Sequence, residues 1–128
     1  MVTVLVVDDE PAILELVRVT LEDERVRVIA APDGETALEQ AAVTPPDLIF
    51  LDVHLPGLSG FEVCRQLRAD RALAGVKIVM LTAATRPEDE AQGLAAGADH
   101  YLTKPFSPVR LLSLVETLVP RAEVWARP

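Results

Sequence analysis

Leu48-Ile49-Phe50-Leu51-Asp52-Val53-His54-Leu55-Pro56-Gly57 sets four apolar residues in front of one carboxylate and a turn directly behind it. A short apolar run bounded by turn residues reads as a buried strand. Such a strand delivers Asp52 to the end of a sheet, where the chain leaves the core. Three other segments have the same build: Val4-Leu5-Val6-Val7 ends in Asp8-Asp9, Ile78-Val79-Met80-Leu81 ends in Thr82, and Tyr101-Leu102-Thr103 ends in Lys104. Three acids, a hydroxyl and an amine then meet at one edge, a set suited to a divalent cation and a phosphoryl group.

Helical patterns separate these runs. Pro11 to Asp23 carries Ile13, Leu14, Leu16, Val17 and Leu21 at helical spacing, with Pro11 suited to a first helical position. Further helices are expected over Glu35–Val43 (opened by Asp33), Gly60–Ala69 (opened by the Ser59/Glu62 capping-box pair), Glu88–Ala96 (closed by Gly97), and from Ser107-Pro108 to about Val119. The strands are expected at Val2–Val7, Val26–Ala30, Asp47–Leu51, Val76–Leu81 and Asp99–Thr103. Alternation of this kind predicts an α/β fold, a doubly wound parallel sheet with helices on both faces. Val26-Arg27-Val28 alternates more than the other runs, which marks an edge strand. Residues 1–119 read as one domain, and 120–128, with Trp125 between charged residues, as a C-terminal tail or the start of a linker.

The totals narrow the function. The chain has 128 residues, half of them apolar, enough for one domain with a real core. The formal net charge of −8 argues against direct binding to nucleic acid or an anionic membrane. The single cysteine, Cys64, excludes an internal disulfide and reads as a small core residue. No apolar run is long enough to span a membrane, and no signal-peptide pattern opens the chain, so a cytoplasmic location is the expectation.

In an open α/β sheet, ligands bind outside the carboxyl ends of the strands, where all these polar residues fall. Adjacent acids repel one another, and a hard cation such as Mg²⁺ relieves this through oxygen ligands. A carboxylate can also be a nucleophile toward phosphorus, giving an aspartyl phosphate. The metal screens the charge, Lys104 adds a second positive point, and Thr82 offers a hydroxyl to a phosphoryl oxygen. Each residue alone has a plainer reading: Asp8-Asp9 as helix caps, Asp52 as a turn residue, Thr82 as a strand end, Lys104 as a solvated lysine. The signal is their joint occurrence at successive strand ends.

With Val6-Val7-Asp8-Asp9-Glu10, Leu51–Gly60, Leu81-Thr82-Ala83 and Gly97–Phe106 in view, residues 2 to 119 resemble the receiver domain of two-component response regulators. The resemblance implies a flavodoxin-like sheet in order 2-1-3-4-5. It makes Asp52 the phosphoacceptor. It gives Mg²⁺ (or Mn²⁺) direct contacts to Asp9, Asp52 and the backbone carbonyl of His54, with Asp8 acting through metal-bound water. Thr82 and Lys104 hold the phosphoryl oxygens, and Lys104-Pro105 is a candidate cis peptide.

The resemblance also implies a switch, in which Thr82 moves inward and Tyr101 follows, reshaping the surface of helix 4, strand 5 and helix 5. It implies tuning of hydrolysis at His54 and Ala84. The expected partners are a histidine kinase or histidine phosphotransfer protein, with homodimerisation through helix 4, strand 5 and helix 5 as a further option. The charges of the dimer common among receivers with winged-helix outputs are not matched: Glu90 and Arg110 are reversed in sign, Leu114 replaces an arginine, and His100 replaces an aspartate.

Rival readings fit less well. A haloacid dehalogenase-type phosphatase usually carries a second acid two residues after the nucleophile, where this chain has His54, and there is no room for a cap domain. A flavodoxin-like flavin or nucleotide carrier wants a glycine- or hydroxyl-rich phosphate loop, where this chain has Asp8-Asp9-Glu10-Pro11. The expectation is a signalling domain, not an enzyme on a diffusible substrate.

Overall fold

The computed structural model describes residues 1–83 and 87–119; Ala84 and the 120–128 tail lie outside them. Five strands, β1 (Val2–Val7), β2 (Val26–Ala31), β3 (Leu48–Asp52), β4 (Lys77–Ala83) and β5 (His100–Lys104), pair in parallel in the order β2-β1-β3-β4-β5. The helices are α1 (Pro11–Leu21), α2 (Gly34–Val43), α3 (Gly60–Ala69), α4 (Glu88–Ala96) and α5 (Pro108–Leu118).

The two-residue alternation of a strand sorts the core into two halves. Leu5, Val7, Ile49, Leu51, Ile78 and Met80 meet α2, α3 and α4, while Val4, Val6, Leu48, Phe50, Val79 and Leu81 meet α1 and α5. β3 is buried along its whole length, as a central parallel strand must be. β2 lies at the edge, and its exposed residue is Arg27.

The helix starts follow their caps. Asp33, Ser59 and Ser107 accept hydrogen bonds from the amides of Thr36, Glu62 and Arg110 at 2.8, 3.2 and 3.1 Å. Gly97 closes α4 at φ 111°, a backbone shape that costs glycine nothing. At Gly60 a Cβ would collide with the Asp52 carbonyl, so α3 can start against the end of β3.

Several boundaries differ from expectation because polar side chains cut them. α1 ends at Leu21 rather than Asp23; Asp23 instead accepts from the amides of Arg25 and Val26 at 2.7 and 3.0 Å and starts β2. β3 starts at Leu48, since the Asp47 carboxylate accepts from the Thr3 amide at 2.8 Å. β5 starts at His100, since Asp99 accepts from the Ile78 amide at 2.8 Å. A short 3-10 turn over Arg71–Leu73, unforeseen, is capped by Asp70 through the Ala72 amide.

Candidate functional site

Strand register places the site. Val7 pairs with Leu51 and Leu51 with Met80, so Asp8 and Asp52 leave the sheet at one level, with Thr82 one residue further. Lys104 pairs with Ala83 at the top of β5 and reaches back across β4. Asp8 is fully buried, Asp52 is 6% exposed and Thr82 1%. Burying such groups is costly unless they are paired or serve a ligand.

Lys104 Nζ supplies the pairing. It lies 2.7 Å from Asp8 Oδ2, 3.2 Å from Glu10 Oε1 and 3.5 Å from Asp52 Oδ2. Asp8 Oδ1 accepts from the Glu10 amide at 2.9 Å, and Asp52 Oδ1 accepts from the His54 amide at 3.2 Å. These contacts dispose of the capping reading of Asp8-Asp9: the residue at the head of α1 is Glu10, and its side chain caps nothing.

The electrostatics are lopsided. Burial pushes the Asp8 carboxyl above the ordinary carboxylate value; Lys104 and the Glu10 amide oppose this, and the Asp52 charge adds to it. Burial works against the Lys104 charge, but Asp8, Asp52 and Glu10 outweigh it and hold its pKa above the ordinary lysine value. Both partners of one ion pair move upward because burial outweighs the amine at Asp8, whereas three carboxylates outweigh burial at Lys104.

Two oxygens are conspicuous. Among the described residues, Asp8 Oδ2 and Thr82 Oγ1 are the buried side-chain oxygens without a hydrogen-bond partner. For Asp8 Oδ2 the lysine contact is one of charge rather than an aligned hydrogen bond. With Asp8 Oδ2 held by the ammonium, Thr82 Oγ1 is the orphan among the described residues, and such groups are rare in folded proteins and call for a partner. The carboxylate oxygens of Asp8, Asp9 and Glu10 lie within 4.8 Å of one another, with Asp9 and Glu10 exposed. This all-oxygen set fits a hard divalent cation that keeps several waters. Asp52 is joined to that group through Lys104, whose ammonium contacts both its carboxylate and that of Asp8.

The remaining expected residues fall around this centre. The Lys104-Pro105 peptide is cis. Tyr101 pairs with Met80, so it shares a sheet face with Thr82 one pleat away on the adjacent strand. It is half-buried against the core, with its ring 5.5 Å from that of His100. Cys64 is fully buried, its thiol 3.5 Å from the Ala96 carbonyl. Leu114 is 5% exposed and belongs to the core, so that position offers the surface no charge.

Two participants escaped the sequence reading. Glu10 stood in the quoted motif without a role, although its place beside Asp8-Asp9 was signal enough. Asp89 carried no signal, since an acid in a first helical turn is ordinary. It is 4% exposed, and its carboxylate Oδ2 lies 2.7 Å from His54 Nε2.

Comparison with known proteins agrees with this geometry. The pattern of the response regulator receiver domain matches residues 4–116. The chain is 47% identical over 123 residues to the alkaline phosphatase synthesis transcriptional regulatory protein PhoP of Bacillus subtilis, covering 96% of this chain and 50% of PhoP. The chain spans about half the length of the curated relatives it matches first. Among solved structures, the chemotaxis response regulator CheY4 of Vibrio cholerae superposes with a TM-score of 0.86 at 38% identity, over 93% of this chain and 99% of that one. The BeF3-activated receiver domain of DrrB superposes at 0.85 with 36% identity, over 94% and 99%.

Proposed function

The chain belongs to the response regulator receiver domain family, and from that premise we propose that Asp52 takes a phosphoryl group from a histidine kinase or histidine phosphotransfer protein in a Mg²⁺-dependent reaction. The observation that carries this assignment is the position of Asp52: a nearly buried carboxylate, 3.5 Å from an ammonium, with Thr82, whose buried hydroxyl has no hydrogen-bond partner among the described residues, one register step further on the adjacent strand.

An Asp52 carboxylate oxygen forms the new bond to phosphorus as the bond from phosphorus to the donor nitrogen breaks. The His54 amide on Oδ1 fixes the carboxylate's orientation. Lys104 stands where negative charge gathers on the phosphoryl oxygens. Thr82 Oγ1 gains its missing partner by donating to one of them. Asp8 and Asp9, with Asp52 and the His54 carbonyl, are the residues to hold Mg²⁺ or Mn²⁺, which when bound supplies positive charge to a site rich in acids.

Thr82 and Tyr101 share a face one pleat apart, which supports a switch in which drawing Thr82 inward frees space for the Tyr101 ring. The changed surface is that of α4, β5 and α5, which faces an output domain, an effector or a second copy of the chain. Asp52 also loses the group to water, so the domain carries out both halves of its own cycle.

The test is intact mass after incubation with acetyl phosphate, with and without Mg²⁺, for the wild type and Asp52→Asn. The expected result is one Mg²⁺-dependent, base-labile phosphoryl adduct that is absent from the variant. An adduct retained by Asp52→Asn would move the acceptor elsewhere.

A further inference from the structure

At the edge of the sheet opposite the acceptor, the amino ends of β3 and β4 adjoin a groove of about 470 Å³, lined largely by Pro45, Pro46, Gly75, Val76, Leu118 and Val119. That size and an apolar lining are those of a binding pocket rather than a packing defect. Asp47 and Lys77 also line it, and their backbone is fixed. The Lys77 amide donates to the Asp47 carbonyl at 3.1 Å, and the Asp47 amide to the Thr3 carbonyl at 2.8 Å. The Thr3 amide donates in turn to the Asp47 carboxylate at 2.8 Å. The groove is therefore preformed.

Val119 points to its occupant. It has left the helical conformation, at φ −127° and ψ 74°, yet is 6% exposed, so the chain quits α5 against the body and at the groove itself. Residues 120–128 follow directly and carry Val124 and Trp125, the single tryptophan of the chain. Tryptophan is strongly buried on average, and nine residues with so few apolar groups cannot build a core for it. Trp125 comes six residues after Val119, a reach of up to about 20 Å, ample for turning back into a groove that starts there. Charge favours the same occupant. α1 and α3 carry Arg18 and Arg68 in their last turns, whereas α2 and α5, which end beside the groove, carry no basic residue there. Their carbonyl ends favour a cation. Residues 120–128 bring Arg121 and Arg127 against one acid, Glu123, a net positive charge on a chain of −8.

We propose that residues 120–128 fold back on their own domain and seat Val124 and the Trp125 ring in this groove, with Arg121 and Arg127 near the ends of α2 and α5. The contact is intramolecular and independent of the chemistry at Asp52. It makes the segment a built-in ligand of the face opposite the acceptor, so any partner for that face must first displace it.

The single tryptophan makes the whole chain its own reporter. The test compares wild type, Gly75→Gln and the Arg121→Glu/Arg127→Glu double variant by tryptophan emission and by acrylamide quenching. In the wild type, Trp125 should emit to the blue of the urea-unfolded chain and be quenched several-fold more weakly, at every protein concentration. NOEs should join its indole ring to the Val76 methyls. A Cβ at Gly75 meets nothing within 4 Å, so glutamine there fills the groove while the fold is kept, as circular dichroism checks. Emission and quenching of Gly75→Gln should approach those of the unfolded chain. The charge-reversed variant should lose part of the protection, and so should the wild type in high salt. Unfolded-like emission in the wild type, or undiminished protection in either variant, would overturn the proposal. Protection that fades on dilution would overturn it too, by placing the segment on a second copy of the chain. The NOEs need no variant, and their absence alone would reject the groove as the seat of Trp125.

Discussion

Lys104 Nζ lies 2.7 Å from Asp8 Oδ2, joining an amine whose side chain is 18% exposed to a carboxylate with no exposure at all. Removing the amine leaves the acid buried and uncompensated. Lys104→Met should therefore destabilise the protein by about 2 kcal/mol, below the usual 3–5 for a fully buried pair because water reaches the lysine. Urea unfolding measures this. Adding Asp8→Asn to Lys104→Met should restore much of the loss, since the stranded charge is then gone; no recovery would mean that the lysine acts through packing of its stem.

Mg²⁺ should stabilise the folded chain, because the acid set exists only in that state. At about ten times its dissociation constant, a ligand specific for the native state adds about 1.4 kcal/mol. Asp9→Asn should abolish the shift in melting temperature while leaving the metal-free stability near wild type, because Asp9 is exposed. Asp52→Asn should raise the metal-free stability by removing a like charge from the neighbourhood of Asp8. A Mg²⁺ shift of full size in Asp9→Asn would exclude that residue as a ligand.

Among the described residues Thr82 has a buried hydroxyl without a hydrogen-bond partner, and a group of that kind costs about 1–3 kcal/mol. Thr82→Val keeps the shape and deletes the liability, so unphosphorylated Thr82→Val should be more stable by about 1 kcal/mol. The same variant should still accept phosphate at Asp52 but fail to change the environment of Tyr101, which NMR of the ring or its fluorescence reports. A destabilised variant would mean that the hydroxyl is satisfied in the resting protein.

The fold was legible because four of the five strands announce themselves twice, by an apolar run and by the polar residue that ends it, while β2 shows only the alternation of an edge strand. Asp52, Thr82 and Lys104 were found this way, and all stand at the carboxyl edge. Boundaries went astray where a single carboxylate ends or starts an element, as at Asp23, Asp47 and Asp99, because an aspartate's choice of amide depends on tertiary neighbours. Asp89 was invisible for the same reason: its partner lies 35 residues away, and nothing local distinguishes it from Glu88 and Glu90.

Arg68 shows the same dependence on distant partners. From the end of α3 its guanidinium donates to the carbonyls of Gly97 at 2.8 Å and Ala74 at 3.1 Å, to that of Val76, and to Asp99 Oδ2 at 2.7 Å. This fork ties α3 to the ends of α4 and the 3-10 turn. Arg68→Lys keeps the charge but cannot serve these directions together, so a loss of about 2 kcal/mol is expected. Thermal unfolding checks it; a loss no larger than that of an ordinary surface arginine would mean that the carbonyls find water instead.

Alkaline pH should expose the burial of Cys64. Burial pushes the thiol above its ordinary value of 9.0, so the folded chain holds the proton more tightly than the unfolded chain. Stability from this group is complete below pH 9.0 and falls as pH rises toward the folded value, because only the unfolded state readily releases the proton. Lys104 follows the same rule from a higher start: its folded value is raised above 10.5, so its contribution is intact below that pH and is lost above it. Two steps are therefore expected in the stability of the wild type, and Cys64→Ala should remove the first while keeping the second. Its overall stability should drop by about 1 kcal/mol for the small cavity left beside Ala96. A Cys64→Ala variant with an unchanged slope from pH 9 to 10.5 would assign the first step to another group.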